Sequence, residues 1–178
     1  APKNLRTIQA AVMLPFTAAN NAKAEEQSRM IEYYEGFLLA VDSLKRQGVS
    51  INLYTYDTKG SGNTISSILN KPEMQDMDII FGPVHTNQIG QLSDFAKRHK
   101  IRLVVPFAPK VDQVFTNPMI YQINTPQSYF YSEVYEHFLR KFSRSNIVFI
   151  DIANGDNDKT EFINGLKNEL KDNRVKFK

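Results

Sequence analysis

The alternation of short apolar segments with helix-like segments restricts the fold of this sequence more than any other feature. The run IQAAVML at positions 8–14 is apolar and ends at Pro15, which is typical of a strand buried on both faces. Gly48 closes the segment that follows, because glycine commonly ends a helix. The apolar residues of that segment recur every three or four positions, as they do on one face of a helix: Met30, Tyr34, Phe37, Val41 and Leu44.

The same rhythm continues along the chain and predicts further strands at SINLYTYD (50–57), DIIFGP (78–83), RLVVPF (102–107), MIYQIN (119–124) and NIVFIDI (146–152), with VKF (175–177) as the start of another. The predicted helices between them are TISSILNK, a segment marked by Ile89, Leu92 and Ala96, SYFYSEVYEHFLRKF, and EFINGLKNEL. Strands that alternate with helices favour the α/β class, with a doubly wound, mainly parallel, Rossmann-like sheet.

The rhythm breaks between about 106 and 127, where strand follows strand and prolines gather. This break predicts that a first α/β lobe covers residues 1–125 and that residues 126–178 begin a second, incomplete α/β lobe. The helix predicted within 128–142 carries an apolar stripe at every fourth position, made of Phe130, Val134, Phe138 and Phe142. A stripe of this kind needs a partner surface.

Composition excludes several classes of protein. Hydrophobic residues make up 42% of the chain and charged residues 23%, which predicts a folded core rather than disorder. The absence of cysteine excludes disulfides and thiolate metal sites. The net charge is only +3 and the cations are scattered, so no nucleic-acid partner is expected. No apolar run approaches the roughly 20 residues that span a bilayer, and the first residues, APKNLRT, lack the apolar stretch of a signal peptide.

Motifs for catalysis and for cofactors are absent from the sequence. His85, His99 and His137 lie far apart, so no metal site is expected. Neither a phosphate-binding glycine motif nor a G-x-S-x-G nucleophile motif occurs. Asp57 and Asp151 each close a predicted strand, where a carboxylate can serve acid–base chemistry, cap a loop or bind an ammonium group. We therefore expect a protein that is not an enzyme and has no cofactor.

The stretch IIFGPVHTNQIGQL at 79–92 predicts a ligand site, because ligands of α/β proteins meet the carboxyl ends of the strands. Gly82 permits close approach of the backbone, and Pro83 stiffens the loop. Thr86 or Asn87 stands where a helix N-cap is expected, with free amides behind it, and such an end can bind an anion. Two alternatives remain open: Thr86 caps its own helix, and His85 is a loop-surface residue rather than a ligand contact.

The order of FGPVHTNQIGQLSDFAKRHKIRLVVPFAP, NPMIYQINTPQSYFYSEVYEHFL and NIVFIDIANGDNDKTEFINGLKNEL resembles the type I periplasmic binding proteins, and within them the branched-chain amino-acid receptors of ABC transporters. Family members read G-P-x-x-S/T after the third strand and a hydrophobic run into S-P or A-P after the fourth. The resemblance spans nearly the whole chain and depends on the order and spacing of these motifs. It implies two Rossmann-like lobes that grip a ligand between them.

The resemblance also implies a set of binding residues. Thr86, with His85 and Asn87 beside it, matches the hydroxyl position that takes a ligand carboxylate. Phe107, Ala108 and Lys110 match the loop that completes this grip, although the sequence Pro-Phe-Ala-Pro-Lys lacks the usual Ser or Thr. Asn154 and Asp156 match the second-lobe loop, where Asn-Gly-Asp-Asn-Asp replaces the usual aromatic residue.

The function that the resemblance implies is an extracytoplasmic, non-catalytic receptor that captures a small polar ligand, such as an amino acid, and serves a membrane permease. The alternative is a ligand-free interaction or regulatory module of the cell envelope on the same scaffold, which contacts envelope proteins or peptidoglycan. The resemblance further implies that the 178-residue chain is a fragment. We expect such a fragment to bind ligand poorly, and either to self-associate through 128–178 or to pack that segment against its first lobe.

Overall fold

The computed structural model of the chain describes residues 7–17, 24–59, 62–108, 110–150 and 159–178. The chain divides into two compact units, Ala1–Asn124 and Thr125–Lys178. Among the described residues, no helix combines the length and the apolar character that crossing a membrane requires.

The first unit is built on a five-stranded parallel sheet. Its strands are β1 (Ile8–Leu14), β2 (Ile51–Asp57), β3 (Ile79–Phe81), β4 (Arg102–Val105) and β5 (Ile120–Gln122). Their order across the sheet is β2-β1-β3-β4-β5, and all neighbouring pairs are parallel. The longest pairing joins β1 to β2 over seven residues, from Ile8 opposite Ile51 to Leu14 opposite Asp57. The α/β class and the parallel, Rossmann-like sheet are therefore confirmed.

Helices lie on both faces of this sheet. Alternate side chains of a strand point to opposite faces, so Ala11 and Met13 of β1 pack with α2 (Gly62–Leu69) and α3 (Thr86–His99), while Val12 and Leu14 pack with α1 (Ala24–Arg46). The predicted apolar stripe of α3 is fully buried, with Ile89, Leu92 and Ala96 all at 0% exposure. Short 3-10 helices at Pro72–Asp76 and Asp112–Phe115 complete the connections.

One buried polar side chain ties α3 to the strand at the edge of the sheet. Asn117, which is 3% exposed, donates from Nδ2 to the backbone oxygen of Ser93 at 2.9 Å and to its hydroxyl at 3.0 Å. Its Oδ1 accepts the backbone N–H of Met119 at 3.0 Å. Because buried polar groups need partners, this arrangement fixes the position of β5 relative to α3.

The second unit contains a 3-10 turn, Gln127–Phe130, followed by α4 (Tyr131–Phe142) and α5 (Thr160–Asp172). Its core is formed by Tyr135, Leu166 and Leu170, and the hydroxyl of Tyr135 donates to the carbonyl of Phe162 at 2.9 Å. The apolar stripe of α4 is largely uncovered: Phe130 is 50% exposed, Val134 44% and Phe142 36%, and Phe138 alone packs against the core.

The strand predicted at 146–152 is wrong within the described residues, which end there at 150. Ile147 makes a single parallel bridge to Phe177, and the Phe149 N–H donates to the Lys178 carbonyl at 2.8 Å. Ile150 is 90% exposed. Within the described residues, the pairing of this segment with 175–178 is limited to this bridge and its hydrogen bonds.

Candidate ligand-binding site

The loop between β3 and α3 lies at the carboxyl edge of the sheet and is pressed against β1. Gly82 is buried with φ = +114°, and a Cβ at this position would collide with the backbone oxygen of Met13. The Gly82 N–H donates to the Val104 carbonyl at 2.8 Å, and the peptide bond to Pro83 is cis. The neighbouring strands on both sides thus determine where α3 begins.

The start of α3 carries two exposed polar side chains, Thr86 and Asn87. The N-cap is His85, with φ −87° and ψ 132°, and its side chain makes no capping hydrogen bond. The N-cap predicted at Thr86 or Asn87 is therefore one or two residues late, and Thr86 does not cap its own helix. A hydroxyl and an amide on the first turn of a 14-residue helix form a surface suited to an anion, because the helix dipole and the free N–H groups favour negative charge.

His85 is directed toward the first helix. Its Nε2 lies 3.6 Å from Oε1 of Glu26 in the first turn of α1, and both side chains are about one quarter exposed, at 26% and 27%. The pair joins the amino ends of α1 and α3 at the carboxyl edge of the sheet. When the imidazole is protonated, this contact is an ion pair.

Asp57 stands at the same edge, at the end of β2, and closes two loops. Its carboxylate accepts the backbone N–H of Phe16 at 3.1 Å and that of Lys59 at 2.9 Å, and it also accepts the hydroxyl of Thr17. Burial raises the pKa of Asp57, but the hydrogen bonds from Thr17, Lys59 and Phe16 outweigh it, so the pKa is lowered. Of the three roles that the sequence left open, the structure shows loop capping.

After β4, the backbone carbonyls of Phe107 and Ala108 are hydrogen-bonded to side chains of the first unit. The Phe107 ring packs edge-to-face on Tyr33 with centroids 4.8 Å apart, and Ala108 is 1% exposed. Burial raises the pKa of the Tyr33 hydroxyl. The carbonyl of Phe107 accepts Nδ2 of Asn124 at 3.1 Å, and the carbonyl of Ala108 accepts Nε2 of Gln122 at 3.3 Å.

The remaining predicted residues fall into two groups. Lys110 is exposed, with its Nζ 3.9 Å from Asp112. Asn154 and Asp156, as well as Asp151, lie outside the described residues. Because β3 and β4 are neighbours in the sheet, the loops that carry Thr86 and Phe107 leave the same edge side by side.

Sequence reasoning missed the residues that hold these loops. Asn124 and Gln122 fix the loop after β4, and Glu26 contacts His85. The only signal for the first two was a pair of amide side chains at the end of the fifth predicted strand. In the part of the chain that the structure describes, no group of three or more His, Asp or Glu side chains could hold a metal ion.

No protein-family model matches the sequence, and no curated protein matches it. Solved structures do match. The branched-chain amino-acid transporter substrate-binding protein LivJ from Streptococcus pneumoniae, in complex with isoleucine, is 16% identical with a TM-score of 0.63, over 92% of this chain and 46% of that one. An ABC transporter substrate-binding protein from Desulfitobacterium hafniense, in complex with leucine, is 10% identical with a TM-score of 0.67, over 96% and 49%.

A solute-binding protein of an ABC transporter from Rhodopseudomonas palustris, in complex with benzoate, is 15% identical with a TM-score of 0.56, over 96% of this chain and 46% of that one. At these identities the likeness concerns the fold. The chain spans about half the length of the solved structures that it matches. Over that length, its fold is similar to that of these ABC-transporter substrate-binding proteins, in agreement with the resemblance of the sequence to the type I periplasmic binding proteins.

Proposed function

We propose that this chain is part of an extracytoplasmic solute-binding receptor, and that the start of α3 receives the carboxylate of a small polar ligand. The observation that carries the proposal is the exposed pair Thr86 and Asn87 on the first turn of α3, at the carboxyl edge of a sheet with this fold. The hydroxyl, the side-chain amide and the backbone N–H groups of the first turn are all donors, which is what a carboxylate requires.

The ligands of the matching structures support a carboxylate. Isoleucine and leucine share an ammonium group, a carboxylate and a branched apolar side chain, whereas benzoate has a carboxylate and a ring but no ammonium group. The carboxylate is thus the charged group common to the three. In this chain, Asp57 is held by Phe16, Thr17 and Lys59, so we expect it to stabilise loops rather than to bind a ligand ammonium group.

The same geometry favours a binder over a catalyst. Asp57 has a lowered pKa, so its carboxylate is a weak proton acceptor at neutral pH, and its oxygens already accept hydrogen bonds from Phe16, Thr17 and Lys59. We therefore propose a non-catalytic receptor that delivers its solute to a membrane permease.

A second candidate is an interaction module of the cell envelope that has kept the scaffold without the ligand. The loop after β4 favours it, because this loop offers no hydroxyl at Phe107 or Ala108 and both carbonyls are bonded to side chains from the end of β5 and just beyond it. A partner of this kind would be an envelope protein or peptidoglycan.

Titration of the 15N-labelled chain with isoleucine, leucine, benzoate and a muropeptide tests the proposal, because NMR shifts report weak binding residue by residue. A carboxylate ligand should perturb the amides of residues 85–89. Thr86→Ala should weaken that binding by about 5- to 30-fold, equivalent to roughly 1–2 kcal/mol for a hydrogen bond to a charged group.

Thr160→Ala is the matched control, since Thr160 is also an exposed threonine at the first position of a helix of similar length, 13 residues. Equal affinity for wild type and Thr86→Ala would remove Thr86 from the site. Shifts caused only by the muropeptide, and centred away from 85–89, would favour the interaction module instead.

A further inference from the structure

The amino ends of α1 and α3 carry different chemical groups at the same edge of the sheet. The first turn of α3 offers hydrogen-bond donors at Thr86 and Asn87. The first turn of α1 instead carries two carboxylates, at Glu25 and Glu26. Glu26 contacts the start of α3, because its Oε1 lies 3.6 Å from Nε2 of His85, the residue directly before Thr86. A side-chain carboxylate is thus held beside the residue that precedes the proposed anion site.

The pair of Glu26 and His85 has a net negative charge while the imidazole is neutral. Histidine side chains are ordinarily mostly neutral above about pH 7, whereas glutamate is ionised there. Both side chains are only about one quarter exposed, so water screens this charge in part. A ligand that is only an anion is repelled by the Glu26 carboxylate. A ligand that carries an ammonium group next to its own carboxylate is attracted by it.

Other acidic residues near the strand ends of the first unit are worse placed to receive a ligand cation at this edge. Asp57 already accepts three hydrogen bonds at the end of β2. Asp112 lies beside a lysine, with 3.9 Å between its carboxylate and Nζ of Lys110. Asp78 directly precedes β3, so it lies at the opposite, amino edge of the sheet. Among these four acids, Glu26 is the one that contacts the start of α3.

We propose that Glu26 makes the site selective for a zwitterion, by receiving the ammonium group of an α-amino acid whose carboxylate is bound at the start of α3. This inference rests on the proposed function, since it concerns a second group of the same ligand. In an α-amino acid, the ammonium nitrogen and the carboxylate are attached to one carbon atom, so their two partners must lie close together. Glu26 and Thr86 fulfil this condition, because His85 contacts the first and directly precedes the second in the chain.

Leucine and isocaproate, which is leucine without its amino group, form a matched pair of ligands for the test. Each is titrated into the 15N-labelled chain at about pH 7.5, and the NMR shifts of residues 85–89 give the dissociation constants. Wild type should bind leucine more tightly than isocaproate. Glu26→Gln keeps the shape of the side chain but removes its charge. The preference for leucine should therefore fall about fivefold, as expected for the loss of one pair of charges about 4 Å apart in water.

Glu25→Gln is the matched control. It removes the same charge from the same turn of α1, at an exposed position. We expect the preference for leucine to stay within about twofold of wild type, because solvent and salt screen an exposed charge. If Glu26 served only to hold His85 and α1 in place, Glu26→Gln would change both dissociation constants by the same factor. The preference for leucine is therefore the measurement that separates a ligand contact from a structural one.

The outcomes distinguish this inference from the proposed function. Suppose that both ligands bind and that Thr86→Ala weakens both by the same factor. If wild type then shows no preference for leucine, or if Glu26→Gln and Glu25→Gln show the same preference, the role of Glu26 is overturned and the carboxylate site remains. If neither ligand perturbs residues 85–89, or if Thr86→Ala changes neither affinity, the proposed function is wrong and the role of Glu26 is overturned with it.

Discussion

Gly82→Ala should destabilise the first unit strongly, because the structure leaves no space and no relaxed backbone conformation for a side chain there. The φ of +114° lies in a region that residues with a Cβ rarely adopt, which costs about 1–3 kcal/mol. The added Cβ would also collide with the Met13 backbone oxygen in β1, and a forced shift of a packed neighbour costs about 1–3 kcal/mol more. The sum, about 2–6 kcal/mol, is a large part of the roughly 5–15 kcal/mol that stabilises a domain.

Gly90→Ala is the matched control for this substitution. Gly90 lies inside α3, eight residues along the chain, and a Cβ there would have no atom within 4 Å. Alanine favours the helix over glycine by about 0.5–1 kcal/mol, so this variant should be slightly more stable than wild type. Urea unfolding followed by circular dichroism gives the free energies, and hydrogen exchange at β1 amides assigns the change to the first unit. This prediction is wrong if Gly82→Ala lowers the free energy of unfolding by less than about 1 kcal/mol, or if both variants change that free energy in the same direction.

Two further substitutions test the polar contacts that hold this sheet edge. Asn117→Ala removes two buried hydrogen bonds and one partly buried one, and it leaves the Met119 N–H without its partner, so the free energy of unfolding should fall by about 2–4 kcal/mol. Alanine at the exposed Asn52 should change this free energy little. Asp57→Ala should cost about 1 kcal/mol at neutral pH, a value that solvent screening keeps small. Because the pKa of Asp57 is lowered in the folded protein, its stabilisation is complete above its unfolded pKa of about 3.9 and disappears as pH falls through the folded value. A gap between wild type and Asp57→Ala that stays constant from pH 7 to pH 2 would contradict this.

The sheet was predictable from sequence because its strands are buried on both faces. IQAAVML at 8–14 forms β1 with the bounds that its apolar run predicts, since both faces of this strand contact helices. The stripe of Ile89, Leu92 and Ala96 likewise identifies α3. Each of these patterns lies within one short segment, and each is apolar because its side chains are buried in the core.

The prediction of a strand at 146–152 was wrong within the described residues, because it depended on pairing between separate segments rather than on a local pattern. The apolar composition of this segment is that of a buried strand, but strand formation depends on hydrogen-bonded neighbours that composition does not report. In the described part of the second unit, the neighbour is 175–178, and the pairing is limited to one bridge at Ile147. Ile150 is left 90% exposed.

The candidate site was predictable only in position. The sequence shows Gly-Pro after β3 and predicts that a helix begins at about residue 86. The structure adds that His85 is the N-cap of this helix and that its side chain contacts Glu26. That contact joins residues 59 positions apart, and the bonds from Asn124 and Gln122 to the loop after β4 are also between separate segments. Long-range pairs of polar side chains have no periodicity, so a single sequence does not show which residues they join.

The choice between a receptor and an interaction module depends on where the hydrogen-bond donors for a ligand carboxylate lie. They can lie on the first turn of α3 or on the loop after β4. A carboxylate needs several donors, and the loop after β4 contributes neither a hydroxyl nor an exposed residue at Ala108, because that loop turns its backbone toward Asn124 and Gln122. The donors on the described side of the site are therefore concentrated on the first turn of α3, at Thr86 and Asn87. If the chain binds a carboxylate, Thr86 must contribute more here than in a protein that places hydroxyl groups on both loops. A ligand that tolerates the loss of Thr86 would thus weaken the receptor hypothesis itself, since no second hydroxyl on the adjacent loop could compensate.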